Sequence, residues 1–400
     1  MKPYVNRVNP GVNLPALRGH NAALVLDLLR AAGEAGISRL ELAERTGLTP
    51  QAVSKITARL RDEGLAAEAG RRASTGGKPR TVLRLVPAAG HAVGLHLDRD
   101  ALTAVLVDLT GTVVAERRAP LAFGAGARAV VEAAAGEVRE LLRSGEGEGR
   151  GQGEGQGEGQ GEGGGEGEGG AGRRISGVGV ALPGPLDHAA GVLHRVTGFP
   201  EWDGFALRDA LGARLGLPVV VDKDTNAAAL GLALAGAADS FAYLHLGTGL
   251  GAGLVLDGAL YRGARTGAGE FGHQVLQLDG PRCECGDRGC VEALCLAAVA
   301  RGDLDEAARV LGTAAGNVVG LLDIDRVLLG GRTVYAAEDL FVRGVGTVVA
   351  ERVRRGGGRT PVPVSLAAGG ERGVAEGAAQ LVLAPLFGRA EGVVPHDGPG

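Results

Sequence analysis

The sequence predicts two parts of different fold class, a small and mainly helical N-terminal domain followed by a larger α/β body. The first observation is charge: residues 1–87 carry 14 Lys and Arg against 7 Asp and Glu, whereas the remainder carries 28 against 39. The second is a pair of short helical segments with clear start and stop residues inside the basic part. The third is that strand-like and helix-like patterns alternate after residue 91, with one histidine and three cysteines clustered among them.

Composition narrows the class of protein. A chain of 400 residues is long enough for two or three domains, and an apolar content of 45% is ordinary for a globular protein. No apolar stretch reaches the roughly 18 residues of a membrane span, and the N-terminus lacks the pattern of a signal peptide. Cysteines that form one cluster are typical of a reducing compartment, so we expect a cytoplasmic protein. The basic block on an acidic body predicts that only the first part contacts a polyanion.

Helix-capping residues locate two helices in the basic part. Ser38 followed by Glu41 forms a capping box, which predicts the start of a helix. Gly47 can adopt the left-handed conformation that ends such a helix. Thr49 followed by Pro50 predicts the start of the second helix. Two short helices joined by a glycine turn form the pattern of a helix-turn-helix, in which the second helix reads DNA.

The flanking segments extend this pattern to a winged helix-turn-helix. A Leu- and Ala-rich stretch over residues 20–32 predicts a supporting helix, and Val53 and Leu60 are spaced to face a core. Two strand-like runs, 65–69 and 81–86, flank a basic, glycine-rich segment that resembles a wing. The predicted DNA-binding residues are Thr49, Gln51, Ser54, Lys55, Arg59, Arg71, Arg72, Lys78 and Arg80.

The α/β body contains one segment of a different character. Alternating apolar residues predict two strands over 94–114, and the patterns of 129–142 and 175–182 predict an amphipathic helix and a strand. Between that helix and strand, residues 145–172 are almost entirely Gly, Glu and Gln, with 16 glycines among 28 residues. Such a segment has no apolar surface to offset the entropy lost on ordering, so we expect a disordered insertion. The tail 388–400 is expected to be disordered for similar reasons.

The histidine and cysteine cluster has the composition of a zinc site. The cysteines follow a Cys-x-Cys-x4-Cys pattern, and Gly286 and Gly289 allow the tight turns that such a knuckle needs. Four protein ligands leave no open position on a tetrahedral Zn²⁺, which predicts a structural rather than a catalytic ion. Free thiols or a disulfide in an ordinary loop are the alternative. The predicted ligands are His273, Cys283, Cys285 and Cys290.

Three motifs surround this cluster. They are Gly247-Thr-Gly-Leu-Gly-Ala-Gly253, Ala268-Gly-Glu-Phe-Gly-His273 and Cys283-x-Cys-Gly-x-x-Gly-Cys290-Val-Glu292. Together they resemble the signature of the ROK family (repressors, open reading frames and sugar kinases), over roughly residues 91 to 385. The resemblance implies a two-lobed, actin-like and ribonuclease-H-like fold behind the winged helix-turn-helix. The implied domains are 1–87 for the winged helix-turn-helix, 88–222 for the first lobe with the insertion, 223–369 for the second lobe with the zinc site, 370–387 for a C-terminal helix that returns to the first lobe, and 388–400 for the tail.

The resemblance also implies a sugar site. A buried strand-like run over 219–222 leads into polar residues, and carboxylates at the end of a strand are where α/β folds place chemistry. Asp224 matches the family's acid that accepts the proton of the phosphorylated hydroxyl, while the Asn that usually precedes it is Lys223 here. Glu270 and His273 are three residues apart, so a zinc ion on His273 would also hold Glu270 in place. The predicted sugar-binding residues are Pro183, Gly184, Lys223, Asp224, Glu270, His273 and Glu292.

The segment that matches the family's ATP-binding turn departs from its pattern. Family kinases have Asp-x-Gly-Gly-Thr after the first strand, and here the Asp is His96 while Gly-Gly-Thr is Asp98-Arg99-Asp100. Loss of both glycines blocks close backbone approach to phosphates, and two carboxylates repel them. Because phosphoryl transfer depends on positioning and charge stabilisation, we expect kinase activity to be lost, with no catalytic residue and Asp224 as a vestigial base.

These expectations combine into a sugar-responsive DNA-binding transcriptional regulator. It would repress genes of carbohydrate metabolism, with operator DNA and a small sugar as its partners. One helix-turn-helix reads only a half-site, so a homodimer or homotetramer is expected. The alternative is an active ATP-dependent sugar kinase with a DNA-binding domain. A third class is a scaffold that docks another protein through the zinc loop.

Overall fold

The structure, a computed structural model, describes residues 14–74, 77–147, 173–196, 198–357 and 360–389. The chain divides into two compact units. Within the described residues, the first unit contains 14–89 together with 384–389, and the second unit contains 90–383. None of the helices in these ranges is long and apolar enough to cross a membrane.

The first unit is a three-helix domain with a small antiparallel sheet of strand order β1-β3-β2. Its elements are α1 (Leu14–Ala32), β1 (Ile37–Ser38), α2 (Arg39–Thr46), α3 (Pro50–Asp62), β2 (Ala66–Ser74) and β3 (Gly77–Leu85). The predicted caps are confirmed. The Ser38 hydroxyl accepts a hydrogen bond from the Glu41 N–H at 3.3 Å, and the Glu41 carboxylate accepts one from the Ser38 N–H at 2.8 Å. Gly47 ends α2 with φ 69°, and the Thr49 hydroxyl accepts a hydrogen bond from the Ala52 N–H.

The wing hairpin is longer than the sequence predicts. The strand-like runs end at residue 69 and resume at 81, whereas the strands of the structure pair up to Ser74 and Gly77. Arg71 lies opposite Thr81, and Arg72 lies opposite Arg80. The antiparallel ladder is formed by backbone groups, so it continues through charged residues that contribute nothing to a core. α1 likewise begins six residues before the predicted start at His20.

The second unit contains two five-stranded sheets, with strand orders β10-β7-β4-β5-β6 and β13-β12-β11-β14-β15. The strands are β4 (His91–Leu97), β5 (Ala101–Asp108), β6 (Val113–Pro120), β7 (Ile175–Leu182), β8 (Leu186–Asp187), β9 (Val192–Leu193), β10 (Val219–Lys223), β11 (Phe241–Leu246), β12 (Leu250–Leu256), β13 (Ala259–Leu260), β14 (Arg326–Gly330) and β15 (Val364–Leu366). The helices are α4 (Ala127–Gly147), α5 (Leu207–Leu215), α6 (Asp224–Leu234), α7 (Val291–Ala300), α8 (Leu304–Leu322), α9 (Arg332–Tyr335), α10 (Glu338–Arg355) and α11 (Gly373–Leu383).

Each sheet has its own hydrophobic core, and the first sheet positions the candidate site. β4, β5 and β6 form an antiparallel meander, while β7 and β10 run parallel to β4 and to each other. Lys223 at the end of β10 lies opposite Leu182 at the end of β7. The segments that follow these strands, which begin with Pro183 and Asp224, therefore start at the same edge of the sheet.

Two predictions concern segments at the limits of the described ranges. α4 continues five residues past the predicted end at Leu142, to Gly147. The predicted disordered insertion is described only at its first residues, since 148–172 lie outside the described ranges. Of the predicted disordered tail, Gly388 and Arg389 are described, and the rest lies outside.

Candidate functional site

The structure places all of the residues predicted to bind sugar around one pocket. These residues are Pro183, Gly184, Lys223, Asp224, Glu270, His273 and Glu292. They come from the loop after β7, the junction of β10 with α6, the turn that ends at His273 and the first turn of α7. The glycine-rich turn between β11 and β12 lines the same pocket, together with Asp98 and Arg99 from the end of β4.

Lys223 has a role in this pocket that sequence reasoning missed. Its side chain is only 4% exposed, and its ammonium group lies 3.0 Å from Glu270 Oε1 and also bonds the carbonyl of Ala268. The lysine stem passes beneath Gly184, where a Cβ would lie 2.7 Å from Lys223 Cδ. One of the three predicted carboxylates is therefore already paired with a cation. The signal in the sequence was the replacement of a neutral amide by a cation beside carboxylates.

Asp224 is the carboxylate whose chemistry is most perturbed. It opens α6, and its Oδ1 accepts a hydrogen bond of 2.6 Å from the Thr225 N–H. Burial raises the pKa of Asp224 to about 7, and the negative charges of Asp98 and Glu270 add to that effect. A carboxyl group with a pKa near neutrality can accept or donate a hydrogen bond at physiological pH.

Glu292 is buried in the first turn of α7, and its position is set by a backbone contact. Its Oε2 accepts a hydrogen bond of 2.8 Å from the Leu250 N–H. Gly249 comes so close to this carboxylate that a Cβ would lie 3.0 Å from Oε2. Glu292 thus holds the glycine-rich turn against the pocket through Oε2. It can do so and still contact a sugar as predicted.

The four predicted metal ligands meet at one point. The ligand atoms of His273, Cys283, Cys285 and Cys290 all lie within 4.8 Å of one another. The Cys283 Sγ–His273 Nδ1 and Cys285 Sγ–Cys290 Sγ distances are both 3.7 Å. Bonds of about 2.3 Å to a tetrahedral zinc ion place ligand atoms about 3.8 Å apart, so the spacing fits. All four cysteines of the chain are free, which leaves the three thiols of the cluster available as ligands.

The residues that replace the glycine cradle each contact the side of the cleft formed by the second sheet. The Thr248 hydroxyl donates a hydrogen bond of 2.8 Å to Asp98 Oδ1. Arg332 at the start of α9 donates one of 2.8 Å to Asp100 Oδ2, and Arg99 Nη1 lies 3.7 Å from Oε2 of Glu284, which lies between Cys283 and Cys285. By the family resemblance, these carboxylates and this cation stand where a family kinase has its phosphate-binding turn.

A larger cavity of about 480 Å³ lies beside the replaced cradle, and sequence reasoning missed it. His96, Tyr243, His245 and Tyr335 contribute to its lining. Burial lowers the pKa of both histidines, that of His245 to about 4 with a further decrease from His96. Both rings are therefore neutral at pH 7, and the positive charges of this lining come from Arg118 and Arg332.

The DNA-binding prediction falls on an exposed helix face. Thr49, Gln51, Ser54, Lys55 and Arg59 are all exposed on or beside α3, whereas Val53 and Leu60 are buried. Arg59 Nε lies 3.6 Å from Glu63 Oε1, a loose surface pair that a phosphate can replace. Arg80 on the wing is exposed. The side chains of Arg71, Arg72 and Lys78 lie outside the described part of the structure, so only their strand positions are established.

Known protein families match two regions of the chain, one in the helix-turn-helix unit and one in the α/β unit. A sequence profile of the ROK family matches residues 168–300, and a winged helix-turn-helix DNA-binding profile matches residues 24–66. The xylose repressor of Bacillus subtilis (strain 168) is 28% identical over 259 residues, which are 64% of this chain and 61% of that repressor. The similarity thus extends over about three fifths of the relative's length.

Two solved structures show how far the fold is shared. A ROK family transcriptional regulator, homolog of the E. coli MLC protein, has a TM-score of 0.72 at 22% identity and covers 93% of this chain and 97% of its own. The ROK hexokinase from Thermus thermophilus has a TM-score of 0.56 at 27% identity and covers 74% of this chain and 98% of its own. The chain therefore combines a ROK family domain with an N-terminal winged helix-turn-helix domain.

Proposed function

We propose that this protein is a sugar-responsive DNA-binding transcriptional regulator that represses genes of carbohydrate metabolism. One observation carries the proposal: the residues predicted to bind a sugar line one pocket, whereas Asp98 and Asp100 are bonded to side chains across the cleft. A pocket that binds sugar without phosphorylating it suits a sensor. The name of the xylose repressor supports the same class, and no particular sugar follows from it.

In the proposed pocket, Asp224 and Glu270 accept hydrogen bonds from sugar hydroxyls, and Lys223 fixes Glu270. The Lys223–Glu270 pair uses Glu270 Oε1 and leaves Oε2 outside that bond. Pro183 and Gly184 would close the pocket over the sugar, as the family resemblance implies. Charge-assisted hydrogen bonds of this kind contribute roughly 1.5–3 kcal/mol each.

For the zinc knuckle, we propose one structural Zn²⁺ held by His273, Cys283, Cys285 and Cys290. The ion would supply rigidity to the knuckle rather than a reactive centre. His273 ends the turn that begins at Glu270, and Cys290 is the residue just before α7, which carries Glu292. The bound knuckle would therefore hold two of the pocket carboxylates in position.

On DNA, α3 would lie in the major groove and the wing along the backbone or minor groove. Gln51, Ser54 and Lys55 would contact base edges, and the arginines of the wing would contact phosphates. A half-site reader of this type acts as a homodimer or homotetramer, with the ROK body as two lobes of residues 88–222 and 223–369. Closure of the lobes around a sugar would change the spacing of the DNA-binding domains.

An active sugar kinase is the second candidate, and one observation favours it. A carboxyl group whose pKa is raised to about 7 by burial is suited to accept a proton from a hydroxyl, as a general base does. The ROK hexokinase from Thermus thermophilus, which has a similar fold, supports this candidate. Against this candidate stand Asp98 and Asp100, whose charges oppose phosphate binding.

One experiment separates the two candidates. An operator is selected from random DNA duplexes, its affinity is measured by fluorescence anisotropy, and D-xylose, D-glucose and N-acetyl-D-glucosamine are titrated in turn. Each sugar is also tested for ATP-dependent phosphorylation with the same protein. A change in operator affinity without ATP turnover supports the regulator. Phosphorylation at an ordinary enzymatic rate would make the protein a kinase.

A further inference from the structure

The C-terminal segment Ala384–Arg389 belongs to the first unit, although α11 just before it belongs to the second. Phe387 is only 2% exposed, and the Arg30 guanidinium lies 4.8 Å from the centroid of its ring. Ala384 is fully buried. A segment with these contacts is part of the core of the winged helix-turn-helix unit rather than a loose end.

A paired ionic contact adds orientation to this apolar contact. Arg389 donates hydrogen bonds from Nε and Nη2 to the two carboxylate oxygens of Asp27, at 2.9 and 2.6 Å. Between these residues, Gly388 turns the chain with φ 67° and approaches Ala23 of α1, where a Cβ would lie 3.3 Å from the alanine Cβ. A bidentate pair fixes an angle as well as a distance. The segment is thus clamped to α1, which also packs on α2 and α3.

At its other end, the segment continues directly from α11, and α11 packs against the helix that carries Asp224. A Cβ on Gly377 of α11 would overlap the backbone carbonyl of Ala227 in α6, and a Cβ on Gly231 would lie 3.1 Å from Gly377 Cα. Backbone-to-backbone contacts of this kind contain no flexible side chain that could absorb a shift. A displacement of α6 is therefore passed on to α11.

We propose that Ala384–Arg389 is the strap through which the sugar pocket controls the DNA-binding unit. The inference rests on the proposed function. Within the described residues, the two units are joined covalently at Ala89–Gly90 and at Leu383–Ala384. The second of these connections is the clamped one, so it gives a continuous covalent route from α11 to a segment bonded to α1. Sugar binding at the start of α6 would move α11, and the strap would transmit this movement to α1.

The test compares four proteins: wild type, Arg389→Asp, the charge exchange Asp27→Arg with Arg389→Asp, and the control Arg355→Asp. Arg355 pairs with Glu351 on the surface of α10, so its reversal disturbs an ion pair outside the strap. For each protein, operator affinity is measured with and without the sugar from the panel that gives the largest thermal shift. We expect a typical coupling, on the order of a 5- to 150-fold change in operator affinity, in wild type and control. Arg389→Asp should reduce it below about twofold while sugar affinity stays unchanged, and the charge exchange should restore it.

A full sugar effect in Arg389→Asp would overturn the strap, and so would failure of the charge exchange to restore a missing effect. Hydrogen exchange on the wild type keeps the test independent of variant folding. Sugar should change the exchange rates of residues 384–389 and of α1, and unchanged rates at both would also refute the strap. If no sugar that binds changes the operator affinity of the wild type, the proposed function is wrong. The proposal of the strap is then wrong as well.

Discussion

Replacing Asp224 by Asn is expected to stabilise the sugar-free protein at neutral and alkaline pH. Burial raises the pKa of Asp224 from 3.8 to about 7, so the folded protein holds a proton that the unfolded chain has released. Between these two values, the folded state binds more protons than the unfolded state. Stability therefore decreases as pH rises through this window, and the decrease is complete above about pH 7.

The magnitude follows from the width of the window. A shift of about three pKa units corresponds to about 4 kcal/mol, which is an upper estimate for a half-buried group. Of this decrease in the free energy of unfolding, about 2 kcal/mol takes place between pH 5.5 and pH 8. Asn keeps the shape of the side chain and carries no titrating proton, so the Asp224→Asn variant should lack this part of the decrease.

Urea unfolding at several pH values measures the effect, with fluorescence of Trp202 as the signal. Trp202 is the only tryptophan in the sequence and is fully buried in the second unit, so it reports on the unit that contains Asp224. The difference in unfolding free energy between variant and wild type should grow by about 2 kcal/mol from pH 5.5 to pH 8. The matched control is Asp257→Asn, the same substitution at an exposed turn residue outside the pocket. A difference that is constant with pH would refute the reasoning.

Asp224→Asn should also weaken sugar binding. Sugar binding would explain why the protein keeps a carboxylate that lowers its stability. At pH 8 the wild-type group is ionised and accepts a charge-assisted hydrogen bond from a sugar hydroxyl. Asp224→Asn should therefore weaken sugar binding roughly ten- to a hundredfold, while operator binding without sugar stays intact. Isothermal titration calorimetry with the panel sugars checks this, and an unchanged affinity would remove Asp224 from the pocket.

Three further predictions concern zinc, DNA and pocket charge. Cys285→Ser should lower the zinc content per chain in elemental analysis, because three ligands hold the ion less tightly than four, and full zinc in the variant would contradict the site. Lys55→Ala should weaken operator affinity, and neutralising Arg71 and Arg72 should lower the salt slope by about one unit for each phosphate that the wing no longer neutralises; an unchanged slope would mean that the wing does not touch DNA. Lys223→Asn frees Glu270, so affinity for D-glucosamine should rise about tenfold relative to D-glucose, and an unchanged ratio would show that Lys223 does not set the pocket's preference.

Local chemistry was predictable from the sequence because each signal lies within a few residues. The capping box at Ser38, the left-handed Gly47 and the start of α3 after Thr49 depend on contacts three or fewer residues apart, and the structure has them. The His273 to Cys290 cluster is likewise contained in one short segment. The seven pocket residues come from four segments, and the family resemblance rather than periodicity grouped them.

Tertiary structure decided the contacts between distant segments. The sequence shows a cation at Lys223, but it does not indicate which carboxylate its ammonium group pairs with, and Glu270 is 47 residues away. The acid at Asp100 bonds an arginine 232 residues along the chain. The Arg389–Asp27 pair spans 362 residues and places the start of a predicted disordered tail in the DNA-binding unit. Local propensities determine helices and turns, whereas partners of charged side chains depend on which surfaces the folded chain brings within a few ångströms of each other.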